Sequence, residues 1–278
     1  MKKVLITGST GLVGSRIATL WQDKFQLITP KYEDGFDITE KDSLNKILDG
    51  LQFDFVLHLA AYTNVDKAEE ERELCYNINV VGVRNLFEVC QKKKAGFIYA
   101  STAFVFPGKL SENPYTEKSI PDPLGFYGKS KWAGEEIVKG KAAIARFDYP
   151  YRFDNFSKKD IFRTIKELLE NKVKLKAVED MKFNPTFIDD IARGLEELIN
   201  EFSPGIYHLV GKDYTPYDAF RLICKYYDLD LSLVEPISFF EFYQNKAPRP
   251  QYNALKQSNL KTRFRSFEEV LAMSLTKS

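Results

Sequence analysis

Val4-Leu5-Ile6-Thr7-Gly8-Ser9-Thr10-Gly11-Leu12-Val13-Gly14 is the stretch that decides the fold. The apolar run reads as a strand buried on both faces, which is the habit of parallel sheets. Glycines then fall at 8, 11 and 14, where strand gives way to helix. Gly8 permits a tight turn, Gly11 lets backbone N–H groups approach a pyrophosphate, and Gly14 lets helix and sheet pack closely. The N-terminus of the following helix adds favourable potential for an anion. Thr10, Leu12 and Val13 complete the phosphate-binding turn. The spacing is GxxGxxG. Such a triplet is weak evidence alone, and its place directly after an apolar strand is what makes it a dinucleotide loop.

Outward from this loop, apolar runs alternate with longer amphipathic segments. Strands are expected at 26–29, 55–60, 96–101 and 142–146, and helices at 14–21, 43–51, 76–91 and 127–138. Strand–helix repetition with right-handed crossovers gives an α/β fold with a doubly wound parallel sheet, a Rossmann domain. After Phe147 the pattern loosens: helices at 161–170, 188–200 and 216–227, a short strand at 207–210, and a tail at 236–250 rich in Phe, Tyr and Pro. The expected division is residues 1–148 for cofactor binding and 149–278 mainly for a smaller C-terminal substrate-binding lobe, with about 183–205 returning to the first domain.

Composition narrows the function. The chain has 278 residues, 44% hydrophobic and 28% charged, with a net charge of +1. That is a globular balance with no basic excess to suggest nucleic acid. No segment approaches the ~18 apolar residues of a membrane span, and the chain starts on a strand rather than a secretory leader. The three cysteines form no CxxC pair, so neither a disulfide framework nor a zinc site is expected. The two histidines, His58 and His208, lack a matching carboxylate pattern, and no metal site is expected. His58, inside an apolar strand, reads as a core histidine. A cytoplasmic location and no membrane partner follow, and a homodimer is one assembly open to the fold.

The second strand's end selects the cofactor. A carboxylate there would hold ribose hydroxyls and repel a 2′-phosphate. Pro30-Lys31 stands there instead. Lys31 can pair with a 2′-phosphate, so NADP(H) is favoured over NAD(H). Asp37 and Ile38, after a glycine turn, are candidates for the adenine.

Tyr127 and Lys131 stand four residues apart and share a face of a helix. An ammonium beside a phenol is expected to lower the phenol's pKa, letting it exchange a proton with a carbonyl as hydride moves. A YxxxK string is common in helices. It gains meaning from following the glycine loop in order, with Thr102 between them at a strand end, where ligands of open α/β sheets sit. Thr102 is the candidate for orienting the carbonyl oxygen.

These residues together resemble the extended short-chain dehydrogenase/reductase family, and within it the dTDP-4-dehydrorhamnose reductases. The resemblance runs nearly end to end. It rests on the segment from His58 to Glu69, similar to the family's AAYTxVDxAE, then on Asn79 with Gly82, Ser101–Phe106 and Tyr127–Glu135. Asn184-Pro185-Thr186 with Asp189-Asp190, and Pro248-Arg249-Pro250 with Leu255, are the more diagnostic parts. It implies a catalytic triad of Thr102, Tyr127 and Lys131. Leu59, Ala60, Ala61 and Tyr62 would line the cofactor, the last three on its nicotinamide side. Val65, Thr102, Ala103, Asn184, Thr186 and Arg249 would lie around a nucleotide-sugar, with the guanidinium suited to a diphosphate. The implied activity is NAD(P)H-dependent reduction of the 4-keto group of a nucleotide-linked deoxysugar, as in dTDP-L-rhamnose synthesis.

The chain departs from that pattern at three places. Ala103 stands where the family usually has an acid, Asp180-Met181 replaces Asp-Gln, and Phe147 with Tyr149 replaces a tryptophan-containing segment. One alternative is a nucleotide-sugar 4-epimerase, whose Ser-Thr-Ala-x-Val-Phe this chain shares. Those enzymes usually carry an acid at the second-strand end, which is absent here. A 4,6-dehydratase would need an acid and a base next to Thr102, and Ala103-Phe104 supplies neither. A reading of another class is a non-catalytic NADP-binding regulatory subunit resembling methionine adenosyltransferase β.

Overall fold

In the computed structural model, which describes residues 1–275, the opening stretch folds as β1 (Lys3–Thr7), the glycine turn and α1 (Leu12–Trp21). Further strands are β2 (Gln26–Ile28), β3 (Phe55–His58), β4 (Gly96–Thr102) and β5 (Ala143–Phe147). Later come β6 (Pro150–Tyr151), β7 (Leu175–Val178), β8 (Thr186–Phe187), β9 (Gly205–His208) and β10 (Val234–Ile237). The main sheet has six strands in the order β2-β1-β3-β4-β5-β9, all parallel. The order reverses at β1, with β2 on one side and β3 on the other. This is the switch point where open α/β sheets bind ligands. Val4, Leu5 and Ile6 have no exposure, so the strand is buried on both faces, as its unbroken apolar run requires.

Helices cover both faces. α2 (Lys41–Leu48), α3 (Arg72–Tyr76), α4 (Gly82–Lys92) and α5 (Phe126–Val138) follow in order. α6 (Ile161–Glu170), α7 (Ile188–Asn200), α8 (Pro216–Tyr227), α9 (Phe239–Tyr243) and α10 (Phe267–Leu275) complete the set. Ile17 and Trp21 of α1 join Ile191 and Leu195 of α7 on one face of the sheet. Leu44, Leu86 and Val138, from α2, α4 and α5, join Leu5 and Val56 on the other. The helix expected at 76–91 runs from α3 through a π-helical turn at Asn77–Val81 into α4.

The second lobe has its own core, in which Tyr151, Phe162, Phe183, Ile223, Val234 and Phe267 meet. Two small parallel sheets, β10-β7 and β6-β8, serve it. The expected tail at 236–250 takes up the last residues of β10, then α9 and a loop that turns back toward the switch point. No helix among the described residues is long and apolar enough to cross a membrane.

Candidate active site

The glycine turn is held by sterics as much as by hydrogen bonds. Gly8 has φ +68°, and a Cβ on it would lie 2.7 Å from the Ala60 nitrogen. A Cβ on Gly14 would lie 2.3 Å from the Gly8 carbonyl oxygen. The Gly11 N–H closes the turn on that same oxygen at 3.0 Å. Below it, Thr7 Oγ1 accepts the Ala60 N–H at 3.2 Å and lies 2.7 Å from His58 Nδ1. The His58 Nε2 is buried with no hydrogen-bond partner. Burial pushes the imidazole down to about 3, so the ring stays neutral inside the sheet.

A cavity of about 950 Å³ opens above this edge. Gly8, Thr10, Gly11, Leu12, Val13 and Gly14 floor one end. Lys31, Asp37 and Ile38 line the cavity too, as do Leu59, Ala60 and Ala61. Asp37 is fixed there because its Oδ1 accepts from both N–H and hydroxyl of Thr39, each at 2.8 Å. Thr102, Tyr127, Lys131, Val65 and Arg249 close the far end. The glycine floor, with Lys31 on the same wall, fits a dinucleotide phosphate. The described residues hold no metal-ligating cluster.

Tyr127 and Lys131 lie on α5, and Thr102 ends β4. The Lys131 ammonium is 4% exposed. It donates to the Ala100 carbonyl at 2.8 Å and sits 4.2 Å from the Tyr99 ring centroid. Burial lowers it to about 7, against the opposing charge of Glu135. Tyr127 is pushed up to about 12, chiefly by burial and further by the charge of Asp148, while a hydrogen bond with Thr102 pulls the other way. The expectation that Lys131 draws Tyr127 down is therefore corrected for the chain alone. Desolvation dominates, and the phenol keeps its proton.

An interlocked set of polar contacts fixes these groups. Asn79, in the π-helical turn, accepts the Tyr62 N–H at 2.9 Å and donates to the Tyr62 carbonyl at 3.0 Å and to Ser130 Oγ at 2.9 Å. It thus ties the loop after β3 to α5. One turn along α5, Glu135 accepts Arg146 Nε at 2.8 Å, and both side chains are buried. Ser101 donates to the same carboxylate.

Four expected contacts stand elsewhere. Ala103 is fully buried among Val105, Phe106 and Leu255, facing away from the cavity. Asn184 donates to the Gly211 carbonyl at 2.8 Å and accepts the Leu255 N–H at 2.7 Å. Thr186 donates to the Asn184 carbonyl at 3.1 Å. Both side chains are buried, and neither lines the cavity. The Tyr62 hydroxyl turns out to Glu71 at 2.6 Å. Only its backbone stays beside Ala61.

Among the groups on the cavity wall that were not expected site residues are Phe104, Asp66, Asp148 and Lys158. Asp66 pairs with the Arg249 guanidinium and accepts the Ala247 N–H at 3.0 Å, so the tail loop is pinned across the cavity mouth. Asp148 follows β5 directly. The strand-end rule that singled out Thr102 could have found it.

Comparison with known proteins agrees with this geometry. The family model described as RmlD substrate binding domain matches residues 1–277. The dTDP-4-dehydrorhamnose reductase of Mycolicibacterium smegmatis is 30% identical over 259 residues, covering 91% of this chain and 78% of that protein. A spore coat polysaccharide biosynthesis protein of Bacillus subtilis is 29% identical, covering 92% of this chain and 89% of its own. Among solved structures, a dTDP-4-dehydrorhamnose reductase of Bacillus anthracis in complex with NADP superposes with a TM-score of 0.90 at 28% identity, covering 100% of this chain and 99% of that one. With the glycine floor, the Thr102–Tyr127–Lys131 end and a match over all but the last residue, the chain belongs to the RmlD substrate-binding-domain family.

Proposed function

We propose that this protein is an NADPH-dependent oxidoreductase that reduces the 4-keto group of a nucleotide-linked deoxysugar, the reaction of the dTDP-4-dehydrorhamnose reductases it is similar to. The observation that carries the reading is one continuous cavity with a glycine floor and Lys31 at one end and Thr102, Tyr127 and Lys131 at the other. Bound dihydronicotinamide would supply the hydride. Gly8, Gly11 and Gly14 would admit its pyrophosphate, and Lys31 its 2′-phosphate.

Reduction of a carbonyl needs a proton donor, and a phenol raised to about 12 is protonated at every physiological pH. Tyr127 Oη would give its proton to the carbonyl oxygen, with the Thr102 hydroxyl orienting that oxygen. The positive charge of Lys131 would stabilise the phenolate as it forms. Arg249, 10% exposed and stacked 4.4 Å from the Tyr243 ring, suits the sugar diphosphate. That diphosphate would compete with Asp66 for it. The absence of any membrane-spanning helix among the described residues and three free cysteines support a cytoplasmic enzyme, and a homodimer belongs to the same reading.

The test is NADPH oxidation with dTDP-4-dehydro-6-deoxy-L-mannose. Wild type is expected to turn over, and Tyr127→Phe to lose about 10²–10⁴ in kcat while still binding NADPH. No turnover by wild type with NADPH bound would overturn the reductase reading and leave a binding subunit.

A further inference from the structure

β4 and β5 run parallel, and Thr102 is the register partner of Phe147. The chain leaves the sheet's carboxyl edge just beyond this pair, at Ala103 after β4 and at Asp148 after β5. The acid that the sequence pattern leads one to seek at 103 is missing there. A carboxyl stands one strand over. Ala103 faces a closed apolar cluster, whereas Asp148 is on the cavity wall with Thr102, Tyr127 and Lys131.

Asp148 is 2% exposed. Its Oδ2 accepts the Asn184 N–H at 3.1 Å. None of the ion pairs among the described residues includes it. Directly after it the chain bends: Tyr149 has φ +38°, a left-handed conformation costing a non-glycine residue about 1–2 kcal/mol. That bend is stored at the cavity wall and not on the surface, as strained backbone at functional sites often is. Tyr149 then packs on Phe183 at 4.7 Å and stands 6.5 Å from Phe104, so the bend is held from both sides. A buried acid with no cationic partner is costly unless something else uses it. Burial also keeps it up at about 8, so at neutral pH it is mostly a neutral acid that can both donate and accept.

We propose that Asp148 is a specificity-determining residue that hydrogen-bonds the sugar hydroxyl on the carbon next to the carbonyl being reduced. The assignment rests on the reductase reading above and deepens it. The carbonyl oxygen meets Thr102 and Tyr127. The Asp148 carboxyl, on the same cavity wall as Thr102 and Tyr127, meets the neighbouring substituent.

The experiment pairs enzyme and substrate changes. Wild type, Asp148→Ala and Asp148→Asn are assayed with dTDP-4-dehydro-6-deoxy-L-mannose and with its 3-deoxy analogue, alongside NADPH affinity and thermal unfolding. Asp148→Ala is expected to raise KM for the hydroxylated sugar about ten- to hundred-fold. It should leave the analogue's kcat/KM and the NADPH affinity within about two-fold. Asp148→Asn, which keeps donor and acceptor, is expected to recover most of the loss. Equal loss on both sugars, or none, would overturn the assignment while leaving the reductase reading intact. If Asp148→Ala does not fold, wild-type discrimination between the two sugars decides. A hydroxylated sugar no better than its analogue overturns the proposal. Failure of wild type to reduce either sugar overturns the reductase reading and the assignment with it.

Discussion

Lys31 shows how much one side chain can decide. It is exposed and makes none of the ion pairs found among the described residues, yet it lines the cavity at the end of β2 where a carboxylate would exclude a 2′-phosphate. A charge-assisted contact to a phosphate is stronger than a neutral one. Lys31→Ala is therefore expected to raise KM for NADPH about ten-fold while changing that for NADH by about two-fold or less. Steady-state kinetics with both cofactors checks it, and an equal effect on the two would remove Lys31 from cofactor selection. Sequence sufficed to put Lys31 on the cavity wall, because the apolar run and Pro30 mark the strand's end. It failed at Tyr127, where the sign of the pKa shift depends on burial. A four-residue spacing conveys the neighbour but not the solvent that folding removes.

At the scale of elements, α5 is the part whose placement matters most, and a buried ion pair sets it. Glu135 is one turn beyond Lys131, and its carboxylate is shared by Arg146 and Ser101. Arg146 also lies 3.4 Å from His208 Nε2 on β9. Removing one partner leaves a buried charge uncompensated. Glu135→Leu is expected to cost about 3–5 kcal/mol. The double variant with Arg146→Met should be substantially less destabilised than Glu135→Leu alone, measured by urea unfolding. Additive losses would mean the pair is not coupled. Neither α5 nor β5 reveals this pairing in sequence, because it joins residues on two elements through the fold. The same limit hid the π-helical turn and Asn79's role in it. By contrast β1, the glycine turn and α1 were legible to within a residue or two, since each carries its own local pattern. Strands β6 and β8, two residues apiece, have no period to read and exist only because the lobe's core brings them together.

For the whole molecule, acid stability joins the site to the cores. Both histidines are buried and held low, His58 to about 3 and His208 to about 4, each chiefly by burial. The unfolded value is ~6.5, so between the two values the unfolded chain binds more protons and stability falls as pH falls. Asp148 acts in the opposite sense. Raised to about 8 by burial, it keeps a proton in the folded state that the unfolded chain has released above ~4. Its contribution is full below the unfolded value and lost as pH rises through the folded one. Two histidines against one aspartate leave about one proton, or ~1.4 kcal/mol per pH unit, between about pH 6 and about pH 5. Urea unfolding at the two ends of that window is expected to show this slope in wild type. His58→Asn should bring it close to zero, since the amide can still meet Thr7 and cannot titrate. Asp148→Asn should roughly double it, because the histidines then act unopposed. A slope unchanged in both variants would mean that His58 and Asp148 do not titrate as their burial dictates, and would leave His208 to account for it.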